Sequence, residues 1–193
     1  MTAVVALSNY LVQFPLQATL GGVNLAEILT LGAFTYPIAF LITDLTNRQF
    51  GASKARLVVV AGFVLAVILS IWLATPRIAI ASGSAFLIAQ LLDVSIFNRL
   101  RQSTWWRAPL ISSLLGSIVD TVLFFGLAFA PAFGALDFGG KDGSLGFAVP
   151  FLGMGSEAPL WISLASGDFI VKVIVGLAML IPYGFIARRQ EIA

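Results

Sequence analysis

The chain has 193 residues, of which 59% are hydrophobic and only 10% are charged, with a formal net charge of +2 and a mean hydropathy of +0.99. Soluble domains carry about a quarter charged residues, so this composition predicts a membrane protein. Cysteine and histidine are absent, which excludes disulfides, thiolate or histidine metal sites and Ser-His catalytic pairs.

Six apolar runs of the length that a bilayer core requires follow one another along the chain. They leave no room for a separate soluble domain, so we predict one all-α polytopic membrane domain over residues 1–193 with short loops. The first run lacks the basic start and the cleavage pattern of a signal peptide, and we expect it to remain in the mature protein. The predicted transmembrane helices are 4–20, 28–46, 57–75, 78–97, 109–130 and 169–186, with one longer outer loop at 132–167.

Basic residues predict the orientation, because Lys and Arg in short loops resist translocation. Only Arg77 and Lys141 lie at one set of helix ends, whereas eight basic residues flank the opposite ends. Both termini are therefore predicted in the cytoplasm, and the 132–167 loop is predicted in the periplasm. The eight residues are Arg48, Lys54, Arg56, Arg99, Arg101, Arg107, Arg188 and Arg189.

Two prolines, Pro15 and Pro37, lie inside the first two apolar runs. Each removes a backbone donor and predicts a kink or local unwinding that turns carbonyl groups toward a cavity. A kink that only improves helix packing is an equally good interpretation.

A carboxylate near the bilayer centre requires a partner or a hydrated cavity, because an isolated charge there is costly. Asp120 is the deepest of the acidic residues, near the midplane of the fifth predicted helix. Ser113, Ser117 and Thr121 share its face at helical spacing. Asp120 is therefore predicted to bind substrate, with a buried structural hydrogen bond as the alternative.

Two further pairs of acid and amide occur at three-residue spacing, which places each pair on one helix face. Gln90 and Asp93 lie in the cytoplasmic half of the fourth predicted helix, and Asp44 and Asn47 lie near the end of the second. Arg48 is one turn from Asp44 and is its candidate partner. We predict that all four polar residues contact substrate, although Asp44 is also compatible with simple hydration at the interface.

Two pairs at four-residue spacing complete the candidate site. Asn9 and Gln13 form an amide face on the first predicted helix, which is compatible with either substrate binding or helix packing. Asp168 and Lys172 form an ion pair at the outer end of the sixth. A structural pair is the default interpretation, but a lysine in an apolar helix also suits gating or ion coupling, as does Arg48.

The candidate site combines carboxylates and carboxamides with few cations and several aromatic residues. Carboxylates accept paired N–H groups, amides donate and accept, and aromatic faces stack on flat rings. This set of groups predicts a heteroaromatic ligand that is neutral or cationic rather than anionic.

These motifs resemble the bacterial queuosine precursor transporters, which are also described as a vitamin uptake transporter family. The resemblance covers predicted helices one, two, four, five and six in order, whereas the third and the 132–167 loop show no visible match. The matching stretches are SNYLVQFP, FTYPIAFLITDLTNRQFGASKAR, IAQLLDVSIFNRLRQSTWWRAPLISSLLGSIVDT and DFIVKV.

The resemblance implies a six-helix importer of 7-cyano-7-deazaguanine, 7-aminomethyl-7-deazaguanine or both in the bacterial inner membrane, which supplies tRNA queuosine salvage. It implies that Asp93 or Asp120 accepts the N1–H and 2-amino edge, and that Gln90 and Asn9 add hydrogen bonds. Asp44 would order the cytoplasmic gate with Arg48.

Transport is expected by facilitated diffusion or ion-coupled alternating access, because the chain has no ATP-binding motif: Lys141 is followed by Asp142 rather than by Ser or Thr. The alternative is a substrate-binding membrane subunit energised by a separate ATPase. We expect no enzyme activity, cofactor, metal or nucleic-acid partner. The expected partners are the deazaguanine substrate and the lipid bilayer, with a homodimer left open.

Overall fold

The fold is almost entirely helical in the residues that the structure, a computed structural model, describes. These are residues 1–138 and 143–192, apart from the side chains of Leu20 and residues 188–192. Lys141 and Asp142 lie outside the described residues, as do the side chains of Arg188 and Arg189. The elements in chain order are α1 (Thr2–Leu11), β1 (Thr19–Leu20), β2 (Val23–Asn24), α2 (Gly32–Thr35), α3 (Pro37–Phe50), α4 (Ala52–Leu73), α5 (Pro76–Leu100), α6 (Arg107–Phe129), β3 (Ala148–Pro150), β4 (Glu157–Pro159) and α7 (Leu160–Ile192).

Four of these helices are long and apolar enough to cross a bilayer: α4, α5, α6 and the part of α7 over Leu160–Ala187. The shortest, α4, has 22 residues and extends about 33 Å at 1.5 Å per residue, against a hydrocarbon core of about 30 Å. The chain is therefore an all-helical polytopic membrane protein.

Local sequence determines where several of these helices begin and end. In α5, Pro76 occupies the first turn and the hydroxyl of Thr75 accepts a hydrogen bond from the backbone N–H of Ile78, an N-terminal cap with proline just inside it. Gly51 separates α3 from α4 with φ 83°, a conformation that glycine adopts without steric cost.

The first predicted helix, 4–20, differs from the observed structure. Helix α1 ends at Leu11, and β1 and β2 form an antiparallel hairpin beyond it. Gly21 and Gly22 make the turn with positive φ, and Pro15 forms a β-bridge with Thr30. Pro15 has no N–H to continue the helical ladder, so the chain unwinds and returns.

The second predicted helix, 28–46, is divided at Pro37 into α2 and α3. Tyr36 keeps helical dihedral angles of φ −59° and ψ −40°, so the interruption is a missing hydrogen bond rather than a change of direction into a loop. The helical path from residue 32 to residue 50 spans about 28 Å if it is counted as one element.

The described residues of the predicted outer loop, 132–138 and 143–167, contain more regular structure than their Gly/Pro-rich sequence indicates. They include short 3₁₀ turns at Pro131–Leu136 and Phe151–Gly153 and the β3–β4 hairpin. Helix α7 begins at Leu160, nine residues before the predicted start at 169. Ser163 is fully buried and its hydroxyl accepts a hydrogen bond from the N–H of Leu152, so tertiary packing overrides weak helix propensity here.

Arg77 ties α5 to the end of α6 and to the loop that follows. Its guanidinium donates to the carbonyl oxygens of Leu127 at 2.9 Å and Ala130 at 2.6 Å, and to Asp137 Oδ2 at 2.7 Å. The side chain is 2% exposed. Arg77 therefore satisfies carbonyl groups that the end of a helix leaves without intrahelical partners.

Small residues bring the central helices close together. Gly116 of α6 faces Phe40 of α3, and a Cβ atom at this glycine would lie 2.7 Å from Phe40 Cε1. Ala85 and Ala89 of α5 are almost fully buried. This close approach brings the polar residues of α3, α5 and α6 into one layer.

Candidate functional site

The first buried polar group is the Lys172 cluster, which consists of Tyr36, Asp120, Thr121, Asp168 and Lys172. Lys172 Nζ lies 2.6 Å from Asp120 Oδ2 and 2.5 Å from Asp168 Oδ2. It also donates to Thr121 Oγ1 at 3.2 Å, and Thr121 donates to Asp168 Oδ2 at 2.9 Å. The Tyr36 hydroxyl donates to Asp120 Oδ1 at 3.4 Å.

The Lys172 cluster is built from three separate parts of the chain: the end of α2, the middle of α6 and the N-terminal half of α7. Lys172 is 4% exposed and Asp120 is 5% exposed in their side chains. The Lys172 ammonium lies 5.4 Å from the centre of the Tyr36 ring, within cation–π range. One cation thus faces two carboxyl groups and an aromatic ring in an environment of low polarity.

The second group is the Asp93 cluster, in the interior between α3, α5 and α6. Thr43 Oγ1 donates to Gln90 Oε1 at 2.6 Å, and Asn47 Nδ2 donates to the Val94 carbonyl at 2.9 Å. These two contacts align one face of α3 with one face of α5. The cluster consists of Thr43, Asp44, Asn47, Gln90, Asp93, Ser112 and Ser113.

Asp44 and Asp93 approach each other within this cluster. Ser112 Oγ donates to Asp44 Oδ1 and Ser113 Oγ donates to Asp44 Oδ2, each at 3.3 Å. The Asp93 carboxyl group lies within hydrogen-bonding reach of Asp44. When both groups are ionised they are acceptors only, so no hydrogen bond joins them.

Four atoms of the Asp93 cluster have no hydrogen-bond partner in the described part of the chain: Asn47 Oδ1, Gln90 Nε2 and both carboxyl oxygens of Asp93. All three residues are 0% exposed. Buried polar atoms of native proteins are rarely left without a partner, so such a group requires a functional explanation.

A cavity of about 280 Å³ lies between α3, α6 and α7 and extends from one cluster to the other. Its polar wall comprises Asp44 and Ser113 from the Asp93 cluster, Lys172 from the other cluster, and Ser117 between them. Apolar and aromatic groups supply most of the remaining wall, as in many small-molecule sites. The lining residues are Pro37, Phe40, Leu41, Asp44, Pro109, Leu110, Ser113, Leu114, Ser117, Lys172, Val173, Gly176, Leu177, Met179, Leu180 and Tyr183.

The residues proposed from sequence divide into three sets by their position relative to this cavity. Asp44 and Lys172 line it. Asn47, Gln90 and Asp93 do not line it and belong to the same cluster as Asp44. Asp120 and Asp168 do not line it either, and both contact Lys172. The remaining residues, Asn9, Gln13 and Arg48, are not on its wall.

Local structure explains why these three lie elsewhere. Asn9 donates to the carbonyl of Val5 within α1, and Gln13 is exposed beyond the end of that helix, so the proposed amide face does not form. Arg48 donates to the Arg101 carbonyl at 3.3 Å, and Arg101 donates to the Arg48 carbonyl at 3.1 Å. These hydrogen bonds join the ends of α3 and α5, and the oxygens of Asp44 accept from serines instead.

Sequence reasoning missed Tyr36 and Ser112, which contact Asp120 and Asp44 respectively. Tyr36 precedes the helix-breaking Pro37, a signal that marked the region but not the direction of its side chain. Ser112 lies one residue from Ser113, so its sequence position alone gave no reason to prefer it. Among the described residues, no group of three or more acidic residues is placed to hold a metal ion.

Several apolar helices long enough to span a membrane, with a cavity between them that carries charged side chains on its wall, are typical of a polytopic transporter-like membrane protein. The sequence model described as "putative vitamin uptake transporter" matches residues 30–75 and 70–186. The chain belongs to this vitamin uptake transporter family, and it is a multi-pass protein of the bacterial inner membrane.

Relatives cover nearly the whole chain. It is 36% identical to the probable queuosine precursor transporter of Haemophilus influenzae over 95% of this chain and 81% of that protein. It is 35% identical to the queuosine precursor transporter of Escherichia coli over 94% and 80% respectively. The probable queuosine precursor transporter of Bacillus subtilis is 24% identical over 83% of this chain and 72% of that protein. No solved structure matches the chain.

Proposed function

We propose that the chain imports queuosine precursors, 7-cyano-7-deazaguanine, 7-aminomethyl-7-deazaguanine or both, and binds them in the cavity between α3, α6 and α7. The observation that carries the proposal is the position of Asp44, a buried carboxyl group on the wall of this cavity. Two relatives of the chain, at 36% and 35% identity, are named probable queuosine precursor transporter and queuosine precursor transporter. These names support queuosine precursors as the substrate class.

Asp44 is suited to accept the guanine-like edge of these compounds. Each oxygen already accepts one serine hydroxyl, and each carboxylate oxygen offers about two lone-pair sites, so one site per oxygen remains. A remaining site can accept the N1–H or the 2-amino N–H of the ligand. Phe40 and Tyr183 contribute aromatic surface to the same cavity, which supports stacking against a flat ring.

Lys172 supports recognition at the other end of the cavity, where it is held by two carboxyl groups. A neutralised ammonium can donate to a ring nitrogen or carbonyl oxygen of the ligand without attracting an anion strongly. In this proposal Asp120 and Asp168 orient Lys172. The other members of the Asp93 cluster, Asn47, Gln90 and Asp93, pack around Asp44 and do not contact the ligand. The cavity wall offers no position for Asn9 or Gln13, so we do not include them.

We further propose six spans with both termini in the cytoplasm. Four spans are α4 to α7, the fifth is the bent path through α2 and α3, and the sixth is α1 with the turn that follows it. An even number of spans returns the chain to its starting side, which agrees with the excess of basic residues there. Transport then proceeds by alternating access, with the β1–β2 hairpin and the 132–167 segment on the outer side.

Substitution of Gly176 tests the cavity directly. Gly176 lines the cavity, and a Cβ atom added there meets no atom within 4 Å. Gly126 of α6 is the matched control, because it also has no neighbour within 4 Å of an added Cβ but does not line the cavity. Leucine at either glycine also improves helix propensity, so neither variant is expected to be unstable.

Uptake of labelled 7-cyano-7-deazaguanine should be measured with each purified protein alone in liposomes. We expect Gly176→Leu to reduce uptake by about tenfold or more, the equivalent of about 1.4 kcal/mol of lost binding, and Gly126→Leu to stay within about twofold of the unaltered protein. Equal uptake by the two variants would reject this cavity as the path. Absence of uptake by the unaltered protein would reject autonomous transport and favour an ATPase-dependent subunit.

A further inference from the structure

Asp93 has an unusual environment for a residue that does not line the substrate cavity. Both of its carboxyl oxygens lack a hydrogen-bond partner in the described part of the chain, and the residue is 0% exposed. An ionised carboxylate that is fully buried is strongly unfavourable unless charges or hydrogen-bond donors replace its hydration. A bound cation or a proton removes this penalty.

Among the side chains that the structure describes, no positive charge supplies this compensation. α3 places Asp44 against Asp93, and α6 contributes the hydroxyl groups of Ser112 and Ser113, which donate to Asp44. On α7 the nearest cation on the shared cavity is Lys172, which is bonded to two other carboxyl groups. Among the described side chains, no basic group forms an ion pair with Asp44 or Asp93.

A single proton satisfies both carboxyl groups at once. The two groups lie within hydrogen-bonding reach of each other, so a proton on Asp93 lets its O–H donate to Asp44 and replaces repulsion by a hydrogen bond. Asp44 then keeps its negative charge, and of its about four acceptor sites two take serine hydroxyls and one takes the Asp93 O–H, which leaves one for the ligand.

From this geometry we infer that Asp44 and Asp93 form a proton-binding site and that the protein carries one proton with each substrate molecule. The inference rests on the proposed function, because it requires a transported ligand. A ligand that donates an N–H group to Asp44 stabilises the ionised form of Asp44 and therefore retains the proton on Asp93. By reciprocity, the proton on Asp93 strengthens ligand binding to the same degree. Release of the ligand weakens the hold on the proton, and both leave on the same side.

The test uses the purified protein in liposomes that contain a pH-sensitive dye and are buffered at neutral pH. Labelled 7-cyano-7-deazaguanine is added with no gradient, with the outside made acidic by about two pH units, or with a sodium gradient. With one proton per substrate, the acidic outside should raise the accumulated ratio up to about a hundredfold, since each pH unit corresponds to a factor of ten. Substrate added without a gradient should acidify the interior.

Asp93→Asn is the test variant, because it keeps the shape of the side chain but cannot release a proton. It should lose the stimulation by the acidic outside and the proton movement. Glu157→Gln is the matched control, since Glu157 is an exposed carboxyl residue of β4, and it should retain both. Thermal unfolding of Asp93→Asn in detergent, with and without ligand, establishes that it is folded.

The outcomes separate this inference from the proposed function. Wild-type uptake that no gradient stimulates would reject proton coupling and leave a facilitator. Stimulation by sodium rather than by protons would make the cluster a sodium site and reject the inference. Stimulation that persists in Asp93→Asn would place the proton elsewhere. Absence of deazaguanine uptake by the wild type under every gradient would reject the proposed function itself.

Discussion

The Lys172 cluster allows a quantitative prediction, because one ammonium group contacts both the buried carboxyl group of Asp120 and the carboxyl group of Asp168, which is 15% exposed. Lys172→Met retains the length of the side chain and removes its charge, so Asp120 and Asp168 lose contacts of 2.6 Å and 2.5 Å. Removing one partner of a buried ion pair costs about 3–5 kcal/mol, because the remaining charge is uncompensated. For a chain of this size, where each kcal/mol changes Tm by about 2–4 °C, the expected decrease is about 6–20 °C.

The assay is thermal unfolding of the detergent-purified variants at neutral pH. Lys54→Met is the matched control, since Lys54 is exposed at the start of α4, and surface substitutions typically change stability by less than about 0.5 kcal/mol. The triple variant Lys172→Met, Asp120→Asn, Asp168→Asn should recover more than half of the lost Tm, because no uncompensated charge remains. A triple variant no more stable than Lys172→Met alone would refute the charge argument, as would equal Tm values for Lys172→Met and Lys54→Met.

Two other predictions concern packing and helix ends. Gly116→Ala should destabilise the protein by about 1–3 kcal/mol, because the new Cβ would lie 2.7 Å from the buried ring of Phe40. Gly126→Ala is the control and should be neutral or stabilising, since its Cβ has no neighbour within 4 Å. A Tm of Gly116→Ala equal to or above that of Gly126→Ala would contradict the prediction. Arg77→Met should increase the rate at which an added protease cleaves the segment around Asp137, because the 2.7 Å contact between Arg77 and Asp137 is lost. An unchanged cleavage rate would show that Arg77 does not stabilise this segment.

The sequence was sufficient to predict the helices whose apolar runs are uninterrupted. For α4, α5 and α6 the predicted ranges differ from the observed ones by a few residues, because a run of about twenty apolar residues is typical of a transmembrane helix. It was insufficient near Pro15 and Ser163, where a hairpin replaces a helix and a helix replaces a loop. Pro15 predicted an interruption of the helix but not the hairpin that follows it, and the early start of α7 depends on packing such as the hydrogen bond from Leu152 to Ser163, which composition does not record.

The candidate site follows the same division between local and distant contacts. Asp168 and Lys172 were predicted to pair from their spacing along one helix, and the structure places them in contact. The contact of Lys172 with Asp120 joins residues 52 positions apart, and that of Asp44 with Ser112 joins residues 68 positions apart. Hydropathy identifies each of these residues as unusual in a membrane, but only the packing of α3, α6 and α7 determines which of them meet.

The interruption at Pro37 has a mechanical consequence. Because Pro37 lacks an N–H group, the helix can bend there without losing a backbone hydrogen bond that it would otherwise possess. Tyr36, on the N-terminal side of this point, donates a hydrogen bond to Asp120, whereas Thr43, on the C-terminal side, donates one to Gln90 of α5. The joint therefore lies between the part of the chain that contacts α1 and Asp120 and the part that is bonded to α5, and it is on the cavity wall. A tilt of the part before Pro37 would affect the Tyr36–Asp120 contact at 3.4 Å and the Ser8–Thr35 contact at 2.9 Å, and it would leave the bonds that α3 makes to α5 unchanged.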